Sequence, residues 1–473
     1  MTILVTAILV WTVALQDAPA LELAPCPGTH ADDGVLCGTY EVFEDREART
    51  GKKLGLDVIV LKATGPDPQA DPIFVLAGGP GLNATRLEGG YRNSWLRRER
   101  DIVFVDQRGT GGNHKLDCVL PGDDGDLQSI LELAFQVQYF APCLEELQER
   151  ANLELYTTPI ASDDLDEVRA ALGYEKINLI GGSYGTRASL VYMRRHPESV
   201  RTAILDGVAP IAFTNPLFHA WGSQQALELV FAECAGDPAC AAAFPELAQE
   251  LEVVLSRLDA EPARVTVRVA GTDEEIELQL TRGAFGGSLR LMLYYLGGNR
   301  RVPLLIHRAY EGDYKPFVLE AIRGNRSIRN LVAMGMLLCV TCVEDVARID
   351  PETIPRWTDG TFSGDARVRA QIEICEIWPR GKIPEDYGDP VRSKAPTLVL
   401  SGTLDPVTPP FWGAEAASHL ENGLHLVVPG CHGVMRSGAC MRSIVAQFLA
   451  DGSIDGLDTA CIEELELPPF ELP

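Results

Sequence analysis

The segment Gly181-Gly182-Ser183-Tyr184-Gly185 sets a serine between two glycines, after an apolar run at residues 177–180 and before a helix-competent stretch. A hydroxyl that attacks a carbonyl must stand on a turn too sharp for neighbouring Cβ atoms, and Gly181 and Gly185 leave that room. Similar pentapeptides occur in ordinary glycine turns, so the flanks decide. Ser162-Asp163-Asp164 opens a helix whose Leu165, Val168 and Leu172 share a face and which Gly173 stops. A second helix follows the serine and is closed by His196-Pro197. Helix, strand, serine turn and helix in that order predict Ser183 as the nucleophile of an acyl transfer.

A serine needs a base, and the base needs a group that holds its tautomer. His432 lies between glycines in Pro429-Gly430-Cys431-His432-Gly433, after the apolar run 424–428, and is the expected general base. Asp405 sits in the proline-bounded turn Leu404-Asp405-Pro406 after the run 397–400, and is the expected orienting carboxylate. A turn carboxylate that merely accepts backbone N–H bonds would look the same. Tyr184 and Gly79 are the expected oxyanion donors, through their backbone N–H groups. Gly79 belongs to Gly78-Gly79-Pro80-Gly81, which by itself reads equally as a tight turn. His196, His219, His307 and His419 stand in helical or pre-proline settings and are read as structural.

These residues must sit at the ends of strands. Short apolar runs at 56–61, 72–77, 101–105, 177–180, 202–205, 397–400 and 424–428 alternate with helical patterns, which predicts an α/β fold with a parallel sheet and helices on both faces. Between about 210 and 393 the alternation breaks into alanine-rich helices and one hairpin near 265–280, predicting an inserted, mainly helical cap. The expected division is a signal peptide at 1–20, core at 21–210, cap at 211–390 and core again at 391–473. Serine, aspartate and histidine then follow one another in the order of α/β-hydrolases.

With 67 acidic against 41 basic residues and a formal charge of -26, the chain has no electrostatic footprint for nucleic acid. Residues 1–15 carry no charged side chain and are followed by the small residues of Asp17-Ala18-Pro19-Ala20, which predicts export to the periplasm or beyond, or an N-terminal anchor. No later run is long enough to span a bilayer. Twelve cysteines fit an oxidising compartment, and proximity suggests Cys26–Cys37, Cys118–Cys143 and Cys234–Cys240 as bridges. Cys339 and Cys342 have CxxC spacing but lack a second pair or a nearby histidine, so neither metal nor cofactor is expected.

Gly78-Gly79-Pro80-Gly81, Asp106-Gln107-Arg108-Gly109-Thr110-Gly111, the serine pentapeptide, the Asp405 turn and His432-Gly433 together resemble the proline iminopeptidase and tripeptidyl aminopeptidase family. The resemblance implies a cofactor-free serine exopeptidase that takes peptides by their free N-termini. Its exported, cysteine-bearing branch matches Cys342-Val343-Glu344-Asp345 and Cys375-Glu376-Ile377-Trp378, which implies a Cys342–Cys375 bridge. It also implies that Cys440 and Cys461 staple the closing helix, leaving Cys339 and Cys431 over. On this resemblance Glu344, then Asp345 and Glu376, are expected to hold the substrate ammonium; solvated cap acids remain the rival reading. A carboxylesterase or lipase-like enzyme on the same triad is the alternative.

Overall fold

The computed structural model describes residues 21–473 except 123, 124, 133, 134, 270 and 272; the expected signal peptide at 1–20 lies outside the described residues. The strands are β1 (Ala24–Pro25), β2 (Val35–Phe43), β3 (Lys53–Leu61), β4 (Ile73–Leu76), β5 (Ile102–Val105), β6 (Ile177–Gly182), β7 (Val200–Asp206), β8 (Ala263–Arg268), β9 (Glu275–Leu280), β10 (Thr397–Gly402) and β11 (Gly423–Val428). Nine of them form one sheet in the order β1-β2-β3-β5-β4-β6-β7-β10-β11. From β5 to β11 the neighbours are parallel.

The interior parallel strands are covered on both faces, which is why their sequences are continuous apolar runs, whereas the edge strand β11 is only partly buried. In β4, Ile73 and Val75 join Phe448 and Leu449 of the helix Gly438–Asp451 in one cluster, while Phe74 joins Leu190 and Val191 of the helix Tyr184–Arg195 in another. One edge departs from the parallel expectation. β3 pairs antiparallel with both β2 and β5, and β2 was not anticipated, because Gly38, Thr39 and Glu41 interrupt its apolar pattern. A short connection joins β2 to β3, and a short connection allows only a hairpin.

The sheet is interrupted between β7 and β10 by helices and by the antiparallel pair β8–β9, the expected hairpin. The insert has its own apolar core, in which Phe285 stacks on Phe317 with centroids 4.1 Å apart. That core also takes in Leu127, Ile130 and Leu131, which precede the serine by some fifty residues. The core of the insert therefore draws on Leu127, Ile130 and Leu131 as well as on residues between β7 and β10. Arg329 fastens the two by donating to the carbonyls of Pro121 and Ser129.

All five expected disulfides form: Cys26–Cys37, Cys118–Cys143, Cys234–Cys240, Cys342–Cys375 and Cys440–Cys461. Cys339 and Cys431 are free and buried. Burial pushes the Cys431 thiol up to about 12, so its place beside His432 does not make it a nucleophile.

Candidate active site

Ser183 leaves the C-terminal end of β6 at φ 56°, ψ −125°, a conformation that side chains seldom adopt outside a strained turn. The turn exists because two glycines permit it. A Cβ on Gly181 would lie 2.3 Å from the carbonyl oxygen of Gly185, and one on Gly185 would lie 2.2 Å from that of Leu76. The Ser183 N–H donates to the carbonyl of Asp206 at the end of β7 (3.0 Å), and the Thr186 hydroxyl donates to the Ser183 carbonyl (2.6 Å).

Asp405 follows β10 and His432 follows β11, so the parallel register of these strands delivers both to one rim. His432 Nδ1 is 2.8 Å from Asp405 Oδ2, and the carboxylate is fully buried. Its other oxygen accepts the N–H groups of Val407 and Thr408, each at 2.9 Å, and the Thr408 hydroxyl donates to Oδ2 at 2.8 Å. The Asp405 carboxylate thus both braces its own turn and meets the His432 ring. Burial alone would raise its pKa, but the His432 charge and hydrogen bond, with these N–H donors, hold it below the ordinary value. For His432, burial pulls down and Asp405 and Asp206 push up; the carboxylates prevail and the pKa is raised.

Asp206 was missed from the sequence, although an acid ending an otherwise apolar strand was a usable signal. Its carboxylate accepts the N–H groups of Val434 (2.8 Å) and Met435 (3.0 Å) in the histidine loop, while its carbonyl holds Ser183. The next residue, Gly207, lies against the imidazole: an added Cβ would stand 3.0 Å from His432 Cε1. One strand end thus supports both nucleophile turn and base. Among the described residues neither the Ser183 hydroxyl nor His432 Nε2 has a hydrogen-bond partner, a looseness common in free enzymes.

The glycine loop after β4 faces the same point. A Cβ on Gly78 would be 3.2 Å from Ser183 Cβ, and Gly79 takes φ +108°. Among the described residues the N–H groups of Gly79 and Tyr184 donate to nothing, so both are free to meet an oxyanion. Asp106 of the Asp-Gln-Arg-Gly element anchors this loop by accepting the Thr85 N–H (2.8 Å) and hydroxyl (2.9 Å). Arg108, wholly buried, is clamped by Asp164 at 2.6 Å and by carbonyls of Glu44 and Leu155.

The expected ammonium-binding acids are placed otherwise. Glu344 ends the helix Met334–Glu344 and is buried; its carboxylate accepts the Thr158 N–H (2.6 Å), the Thr158 hydroxyl (2.7 Å) and the Tyr387 hydroxyl. Thr158 in turn meets the Tyr184 hydroxyl at 2.8 Å. Asp345 pairs with Arg187 at 2.6 Å, on the helix behind Ser183. Glu376 is exposed. Burial raises the pKa of both Glu344 and Asp345 against their bonds. Glu344 and Asp345 thus tie the helix Met334–Glu344 to Thr158 and to Arg187 of the elbow helix, while the exposed Glu376 stands apart from them.

The insert, with Leu131, Glu132 and Phe135, encloses a cavity of about 120 Å³. Arg290, Arg329, Arg367, His219 and Glu132 are its ionisable lining residues among those described. Tyr294 separates it from His432: the two rings meet edge-on with centroids 5.3 Å apart, and Arg290 donates to the Tyr294 hydroxyl at 2.9 Å. On the other side Ala333 donates its N–H to Gly81 (2.9 Å), and Met334 lines the cavity. His219, read from sequence as structural, is part of the wall.

A strand-end serine on a positive-φ turn, backed by a buried aspartate–histidine pair after the last two strands of a mostly parallel sheet, defines an α/β-hydrolase. The description "alpha/beta hydrolase fold" matches residues 71–261 and "TAP-like protein" matches residues 360–461, in keeping with the α/β-hydrolase fold that the sheet order shows. Among curated relatives, the serine protease Hip1 of Mycobacterium tuberculosis is 27% identical over 485 residues, covering 93% of this chain and 91% of that one. A tripeptidyl aminopeptidase of Streptomyces lividans is 31% identical over 193 residues (37% of this chain, 35% of that one). A proline iminopeptidase of Neisseria gonorrhoeae is 29% identical over 155 residues (33% and 37%).

Proposed function

We propose that the chain is an exported serine peptidase that cleaves peptides near their free N-termini, of the prolyl or tripeptidyl aminopeptidase type. The observation that carries this is the end of β7, where the Asp206 carbonyl holds the strained Ser183 turn while the Asp206 carboxylate and Gly207 meet the loop and ring of the Asp405-paired His432. Ser183 Oγ attacks the scissile carbonyl and its proton passes to His432 Nε2; Asp405 holds Nδ1–H and stabilises the imidazolium. The N–H groups of Gly79 and Tyr184 receive the oxyanion. Collapse expels the amine, protonated by His432, and water activated by the same imidazole releases the acyl group.

The covered cavity supports an exopeptidase, since a chain end enters it more readily than a mid-chain segment. The peptidase names of the relatives support peptide as substrate, and five disulfides support an oxidising compartment. The inward-turned Glu344 favours keeping a carboxylesterase as the second reading, because that enzyme needs no ammonium pocket. Mass-spectrometric digestion of free and N-acetylated peptides tests the choice. Release of one or three residues from free N-termini alone is expected; cleavage of simple esters without any peptide cleavage would replace the peptidase with the esterase.

A further inference from the structure

Two cationic side chains lining the cap cavity, Arg290 and Arg367, have no carboxylate partner among the described residues. Arg329 is used by the carbonyls of Pro121 and Ser129, and Glu132 accepts from Gln128 Nε2 at 3.1 Å. Arg290 has the Tyr294 hydroxyl but no carboxylate partner among the described residues. Arg367 lies over the Phe135 ring, 3.4 Å from its centroid, and its Nη1 is buried without any acceptor among the described residues. His219 Nδ1 is buried and unpartnered in the same wall. Three other buried guanidiniums do meet carboxylates, Arg108 with Asp164, Arg187 with Asp345 and Arg300 with Glu233, each at 2.6 Å, whereas Arg97 donates to carbonyls alone.

An unmatched buried charge is among the most expensive things a fold can hold, and it persists where a ligand supplies the counter-charge. Burial and the nearby Arg290 charge hold the Arg367 pKa well below its ordinary value. Two short chains of contacts link the cavity wall to the site: Arg290 bonds the Tyr294 hydroxyl, whose ring meets His432, and Met334 follows Ala333, whose N–H is held by Gly81.

We propose that this cavity is a carboxylate subsite, in which Arg367 and Arg290 hold an acidic group of the substrate beside the bond that Ser183 cleaves. The inference rests on the proposed role of Ser183 and adds the substrate's charge. An ammonium would meet two like charges there. The carboxylate can be an Asp or Glu side chain or the free C-terminus of a short peptide; both offer the two oxygens that a guanidinium binds in parallel.

The test measures kcat/KM of the full chain on peptide arylamides differing only by Glu, Gln or Lys at each position, and on short peptides ending in acid or amide. A Glu-over-Gln ratio of about 10 to 100 at one position identifies the side chain, and a similar acid-over-amide ratio identifies the terminus. In Arg367→Gln that ratio is expected to fall to within about 2-fold, and Arg367→Lys should restore part of it. Arg290→Gln is the second variant if the first fails to fold. Wild-type ratios near one in both arms, or a ratio unchanged in either folded Gln variant, overturn the proposal. If no peptide is cut, the peptidase reading falls separately. The pair p-nitrophenyl hydrogen glutarate and p-nitrophenyl pentanoate then reads the subsite alone, and equal rates reject it.

Discussion

Asp405 is fully buried and Arg367 half-buried, yet Asp405 has a partner for each oxygen and the buried Nη1 of Arg367 has none among the described residues. At the strand ends, Asp206, Asp405, His432 and Thr408 bond to one another or to backbone N–H groups, so their positions are over-determined. In the cap cavity Arg290 and Arg367 meet a hydroxyl and an aromatic ring but no carboxylate among the described residues. The contrast separates machinery that must be rigid before substrate arrives from a surface completed by the substrate.

The sharpest way to break the comparison is Ser183→Ala. Turnover should drop by about 10⁴-fold or more with the circular dichroism and melting curve unchanged. Residual activity near wild type would remove the rim from the chemistry. Asp405→Asn comes next: an amide opposite Nδ1 favours the wrong tautomer, so kcat should fall by about 10⁴ with KM little altered. An unchanged kcat would leave Asp405 as turn support only.

Stability distinguishes matched from unmatched charge. Asp345→Ala strands Arg187 in the interior, and chemical denaturation should show a loss of about 3–5 kcal/mol. Arg367→Gln deletes a charge that had no partner, so its melting temperature should hold or rise. Equal losses in the two variants would erase the distinction drawn here.

The smallest expected effect is a displaced pH profile. His432 acts as a base only when neutral, and its pKa is raised, so kcat/KM should decline as pH falls through a value above 6.5. Asp206 favours the imidazolium; Asp206→Asn should therefore lower that pKa and carry activity to more acidic pH. A limb that moves upward, or stays, would deny Asp206 its influence on the base.

Much of the core was legible because chemistry and element type coincide there. Continuous apolar runs mark strands covered on both faces, and each site residue falls just beyond such a run, as with Ser183 after β6 and His432 after β11. β2 hid behind Gly38 and Glu41, which only an edge-side strand tolerates. Glu344 and Asp345 were misjudged for a physical reason: adjacency to a cysteine motif says nothing about which way a carboxylate turns, and here Thr158, Tyr387 and Arg187 claim them. Arg290 and Arg367 left no periodic trace, since a polar position on a cap helix reads alike whether it meets water or a cavity.

Leu127, Ile130 and Leu131 bury themselves among side chains that come from beyond residue 220, although they belong to the chain's first half. Anyone grafting a relative's roof onto this scaffold by exchanging residues 211–390 alone would strip those three of their neighbours, at about 1.5–3 kcal/mol apiece. A workable chimera has to transplant two stretches together, with the loop bounded by Cys118 and Cys143 travelling alongside the insert.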